Sequence, residues 1–92
     1  MSVPLTDAEQ VEHALRAVLV DVLGLAQERV ASFTEATSLF GALPEFDSME
    51  VAGLLTELEE RLGITIDDDE VDADMLESFG ALLSFAKAKA LQ

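Results

Sequence analysis

The sequence predicts an all-α fold: a small helical bundle with three main helices, one short helix and a long loop between helices I and II. Three observations carry this. Apolar residues recur at helical spacing in three separate segments, capping residues mark where those segments start and stop, and the one strand-like stretch, Ile64-Thr65-Ile66, has nothing to pair with. With 92 residues, half of them hydrophobic, the chain has the length and apolar content of one domain spanning residues 1–92.

The first helix is expected over residues 6–23. Val11, Ala14, Leu15, Val18, Leu19 and Val22 form one stripe, Thr6 with Glu9 fits a capping box, and Gly24 fits the position just past a helix end. His13 falls opposite the stripe and reads as a surface side chain. Over residues 25–46 the rhythm is lost, and Thr37, Ser38, Gly41 and Pro44 punctuate the stretch as turn residues. A loop this long is unusual in so small a domain. Val30, Phe33, Leu39, Phe40 and Phe46 are dotted through it, so it is expected to cross the helices as an ordered segment.

Asp47 is expected to cap the second long helix, which runs to Leu62, with Glu50 as its reciprocal capping partner. Met49, Ala52, Leu55, Leu58 and Leu62 keep the inward spacing, Val51 and Leu54 widen the arc, and Glu50, Glu57 and Glu60 share the other face. Gly63 ends the helix. Residues 64–66 read as an extended connector, and the acidic run after it as a short turn of helix. The last helix, over residues 78–91, points Phe79, Leu82, Leu83, Phe85 and Ala86 inward and ends with Lys87 and Lys89, where cations suit the helix dipole.

Nineteen Asp and Glu against five Lys and Arg leave a net charge of −14. Phosphate backbones and anionic membrane surfaces are poor partners for such a field, which attracts basic protein surfaces instead. No nucleic acid and no membrane insertion are expected, and the chain reads as a cytoplasmic monomer without a targeting segment. Cysteine is absent, which removes disulfides, thiolate metal sites and cysteine nucleophiles. With His13 alone and outward there is no triad, and the acidic run lacks the glycine and alternating oxygen ligands of a calcium loop. No metal and no enzyme activity are expected.

What remains is Asp47-Ser48-Met49. As a tripeptide it is a common way to start a helix. Its setting is more informative: Ser48 lies in the first turn of an acidic helix directly after a long ordered loop, where its hydroxyl should be exposed and the helix end would favour an attached anion. Phe46-Asp47-Ser48-Met49-Glu50-Val51 resembles the Gly-x-Asp-Ser-Leu attachment motif of the acyl carrier protein family. The stretch over residues 54–66, with its acidic helix and Leu-Gly-Ile-Thr-Ile ending, and the spacing of Leu76, Ser78, Phe79, Leu82 and Phe85 are similar to that family as well, so the likeness covers nearly the whole domain in order.

The resemblance implies the family's helical bundle and a 4′-phosphopantetheine arm moved from coenzyme A onto Ser48 by a phosphopantetheinyl transferase. It implies an acyl group held on that arm as a thioester and delivered to partner enzymes. Asp47 would cap the helix and present Ser48. Glu50, Glu57 and Glu60, with Met49 and Val51 as apolar contacts, would dock basic patches on an acyl-loading ligase or acyltransferase and on downstream synthase enzymes. Three departures stand out: Glu45 and Phe46 where the family often has a glycine before the attachment Asp, Met49 for leucine, and Gly53 at a commonly acidic position. They point to a specialised lipid, polyketide or exopolysaccharide-linked pathway, and Gly53 suggests a close approach by another group. The rival readings are an aminoacyl or peptidyl carrier, such as a D-alanyl carrier, and an acidic helical adaptor without a prosthetic group. Leu55, Leu58, Ile64, Leu76 and Phe79 serve either as core or as the lining of an acyl cleft.

Overall fold

The structure, a computed structural model, describes residues 6–91. The reading that no targeting segment is present rests in part on residues 1–5, which lie outside the described residues. Helix α1 (Asp7–Leu23) starts as its sequence requires: the Thr6 hydroxyl accepts from the Glu9 N–H at 3.1 Å, and the Glu9 carboxylate accepts from the Thr6 N–H at 3.0 Å. These bonds, the backbone one first, hold the Glu9 carboxyl below its usual pKa. Gly24 stops the helix with φ +70°, a left-handed conformation that side chains bearing Cβ disfavour. Val11, Leu15, Val18, Leu19 and Leu23 are buried, Ala14 and Val22 half-buried, and His13 exposed.

The long loop is ordered, and it contains a helix that the apolar pattern does not announce. Helix α2 (Gln27–Ala31) is five residues long, has no side-chain cap, and buries Val30 alone. Such an element is too short to show a period. Arg16 on α1 anchors its far end by donating to the carbonyls of Val30 and Phe33 while its guanidinium lies 4.5 Å from the centre of the Phe79 ring. Beyond it the chain runs beside the start of the last helix. The N–H groups of Leu39 and Phe40 donate to the carbonyls of Glu77 and Leu76 at 2.9 and 3.0 Å, and those of Phe79 and Gly80 donate to Thr37 and Glu35 at 2.8 and 3.1 Å. Ser38 and Ser78 form an isolated antiparallel bridge, and no strand occurs among the described residues. Backbone pairing thus joins Val30, Phe33, Leu39 and Phe46, all buried, in fixing the crossover; Phe40 stays 36% exposed.

Helix α3 (Ser48–Leu62) follows, capped by Asp47 and closed by Gly63. The inward face differs from the one expected. Leu54 and Leu58 are buried, Val51, Leu55 and Leu62 pack against them half-buried, and Ala52 and Met49 turn outward, Met49 with 84% of its surface exposed. Both stripes have helical spacing, and only the positions of the neighbouring helices choose between them. The connector has no regular secondary structure over residues 64–67, with the Ile66 N–H donating to the Glu59 carboxylate at 2.8 Å. A single 3-10 turn at Asp68–Glu70 and helix α4 (Ala73–Leu76), capped by Asp72, stand where one short helix is expected.

Helix α5 (Phe79–Ala90) is capped by the Ser78 hydroxyl, which accepts from the Ala81 N–H at 3.1 Å. It buries Phe79, Leu82, Leu83 and Ala86 and leaves Phe85 half-buried. Helix α1 packs on both α3 and α5, and α4 packs on α5. Among the described residues no polar or charged side chain is buried, so a wholly apolar interior holds three long helices and a pinned crossover together.

Candidate functional site

The crossover delivers the chain to the head of α3. Phe46 is 1% exposed and packs edge-on against Phe40, with ring centres 5.6 Å apart, which locates the backbone immediately before Asp47. Upstream, Arg29 of α2 pairs with Glu45 at 2.9 Å. Asp47 then caps the helix: its Oδ1 accepts from the N–H groups of Met49 at 3.0 Å and Glu50 at 3.1 Å. The expected reciprocal bond, from the Asp47 N–H to the Glu50 carboxylate, does not form; the cap consists of one Asp47 oxygen that takes both N–H groups.

Ser48 is the first residue of α3 and is exposed. Its hydroxyl has no hydrogen-bond partner among the described residues. It therefore stands free at the positive end of a 15-residue helix, where an attached anion is stabilised. Beside it opens a hollow of about 550 Å³ lined by Phe40, Gly41, Ala42, Leu43, Pro44, Phe46, Asp47 and Ser48. Apart from Asp47 no charged residue borders it.

The expected docking residues do not share one face. Met49 and Glu60 are outward, in line with Gly53 and Thr56 at spacings of four, seven and eleven residues from Met49. Val51 leans on the core, and Glu50 is half-buried. Glu57 is engaged by Arg61, which also reaches Asp21 on α1 at 2.6 Å; the Asp21 bond first among these contacts raises the Arg61 pKa. The exposed stripe at the head of α3 is therefore neutral, with its acidic residue a turn and more below. A Cβ on Gly53 would meet only Val22 Cγ1 at 3.7 Å, so no close neighbour within the described fold accounts for that glycine.

Sequence reasoning passed over the hollow. Its signal was present: residues 36–44 form a nine-residue uncharged run in a chain of charge −14. The acidic connector does not gather into a metal site, since no group of three or more His, Cys, Asp or Glu side chains among the described residues could hold an ion. No helix among them is long and apolar enough to cross a membrane.

A free serine hydroxyl on a helix N-terminus, with adjoining open space, fits a phosphate-linked prosthetic arm. Comparison with known proteins gives the family. Residues 13–85 match the phosphopantetheine attachment site family. A holo acyl carrier protein from Nitrosomonas europaea, solved by solution NMR, is 39% identical, with a TM-score of 0.79 over 91% of this chain and 99% of that one. The chain belongs to the acyl carrier protein family, whose prosthetic group is 4′-phosphopantetheine.

Proposed function

We infer that Ser48 is the residue to which the arm is joined. The observation that carries this is its unbonded hydroxyl at the head of α3, in the one Asp-Ser step of the matched region that opens a long helix. In the transfer, the Ser48 oxygen bonds to the phosphorus of the pantetheine phosphate. The diphosphate P–O bond of coenzyme A breaks, adenosine bisphosphate departs, and the serine proton passes to a base of the transferase. Asp47 takes up the Met49 and Glu50 N–H groups, which fixes the first turn and keeps Ser48 facing solvent. Once bound, the group supplies a terminal thiol that carries an acyl chain as a thioester. Carriers of this family are generally not catalysts themselves; the contribution of this chain is to tether and to present.

Partner enzymes, a phosphopantetheinyl transferase among them, meet the protein around Ser48. We read the outward stripe of Met49, Gly53 and Thr56 as the apolar centre of that contact and Glu60, with Glu50 at its flank, as the charged rim. Val51 and Glu57 act from behind, one through packing and the other through Arg61. Short-lived, salt-sensitive encounters with basic patches suit serial delivery. The neutral stripe also supports a specialised lipid, polyketide or exopolysaccharide-linked pathway, loaded by a ligase or acyltransferase; the cytoplasm is the compartment we assign to it. The test is direct: incubation with a promiscuous transferase and coenzyme A should add one phosphopantetheine to the intact mass. Ser48→Ala should abolish the gain, and equal modification of that variant would end the assignment.

A further inference from the structure

The hollow beside Ser48, bordered by no charged residue except Asp47, has no part in the helix packing, yet its walls belong to a hydrogen-bonded stretch of the crossover. Leu39 and Phe40 donate to the α4 end of the chain, Ala42 and Leu43 both donate to the Leu39 carbonyl, and Phe46 donates to Leu43. The space is therefore preformed. Its size, about 550 Å³, lies in the range of small-molecule sites, roughly 300–1,000 Å³. We propose that the phosphopantetheine arm rests in this hollow, against Phe40, Leu43 and Pro44, when no partner enzyme is docked.

The chemistry of the walls matches such an occupant. Phe40 and Leu43 leave apolar surface open, and Phe46 closes the floor. They suit the dimethyl and methylene groups of the arm. The Gly41 N–H and the carbonyls of Gly41, Ala42 and Pro44 have no protein partner among the described residues, so they are available to its two amides. Charge points the same way. Beyond its phosphodiester the arm is uncharged, so it suits a wall without charged side chains that would have to be desolvated: the run over residues 36–44 contains none, and Asp47 on the rim is the one carboxylate among the lining residues. The interior is the competing location: Leu58, Leu76 and Phe79 there are 0, 4 and 1% exposed and serve as core, while Leu55 and Ile64 are half-buried at its edge. Tethering makes even weak contact sufficient, because a group anchored on the rim samples the hollow at an effective concentration of about millimolar.

The inference rests on attachment at Ser48, and the experiment separates the two. The full chain is converted with transferase and coenzyme A, the mass gain is verified, and the holo protein is studied by NMR beside the apo form. The expected result is nuclear Overhauser contacts from the arm's dimethyl group to Phe40 and Leu43, with apo-to-holo shifts at Gly41 and Ala42. Phe40→Ala, modified to the same mass, should lose those contacts, while Met49→Ala on the outer face of α3 should keep them. A verified holo protein whose arm touches only residues 47–51, or whose contacts vanish with Met49→Ala and survive Phe40→Ala, overturns the resting site and leaves the attachment intact. No mass gain removes the attachment and the resting site together.

Discussion

Gly53 and Gly80 both sit within helices, and their surroundings give them opposite meanings. At Gly80 a Cβ would come within 2.8 Å of the Glu35 carbonyl oxygen and 3.0 Å of its Cα, both backbone atoms that cannot swing aside. The glycine permits the crossover to lie on α5 and to accept the Gly80 N–H. At Gly53 an added Cβ meets one methyl group at ordinary contact distance. Gly53→Ala should therefore stabilise the fold by about 0.5–1 kcal/mol through helix propensity. Gly80→Ala should destabilise it by about 1–3 kcal/mol through overpacking. Thermal unfolding followed by circular dichroism reads both, at about 4–8 °C per kcal/mol for a domain of this size. Loss of stability in the first, or none in the second, would refute these contacts. The sequence marks both glycines identically, as helix residues without side chains; only the neighbour across the fold distinguishes them.

Between elements, the scarce cations are placed as ties. Arg16 holds α2 to α1, Arg29 holds α2 to the loop before Asp47, Arg61 holds α3 to α1, and Lys89 holds the 3-10 turn to α5. In the last of these Lys89 Nζ lies 2.9 and 3.0 Å from the two Glu70 oxygens, while the Asp67 N–H donates to Oε2 at 2.8 Å. The Asp67 bond first, and Lys89 second, hold the Glu70 carboxyl below its usual pKa. A depressed carboxylate contributes stability that is present above the unfolded pKa, about 4.3, and is lost as pH falls through the lower folded value. Glu70→Gln should therefore melt below the wild type at pH 7, and the gap should close as the pH is lowered past about 4. A gap that stays constant down to pH 3 would show that the carboxylate's charge has no share in the tie. The apolar rhythm announces the helices at either end of these ties, but ion pairing between residues 19 positions apart leaves no periodic trace.

Across the whole molecule, five cations are set against nineteen carboxylates, so self-repulsion outweighs the ties. Added salt screens both, and the excess of one sign decides the balance. The melting temperature should rise between about 10 mM and 500 mM sodium chloride, where the Debye length falls from about 30 Å to a few ångströms. A fall would mean that the ion pairs dominate. Composition, spacing and capping residues were enough to determine an all-α bundle, the ends of α1, α3 and α5, the order in the crossover and the exposed Ser48, because these follow from local geometry and from the helical period of the apolar residues. The apolar pattern favoured the wrong one of two overlapping stripes on α3 and left α2 unannounced, and it did not show that Met49 projects or that residues 40–44 and 46–48 border an open hollow. Those outcomes depend on where other helices and backbone carbonyls lie, and such positions are set by packing over long separations rather than by any residue's own neighbours in the chain.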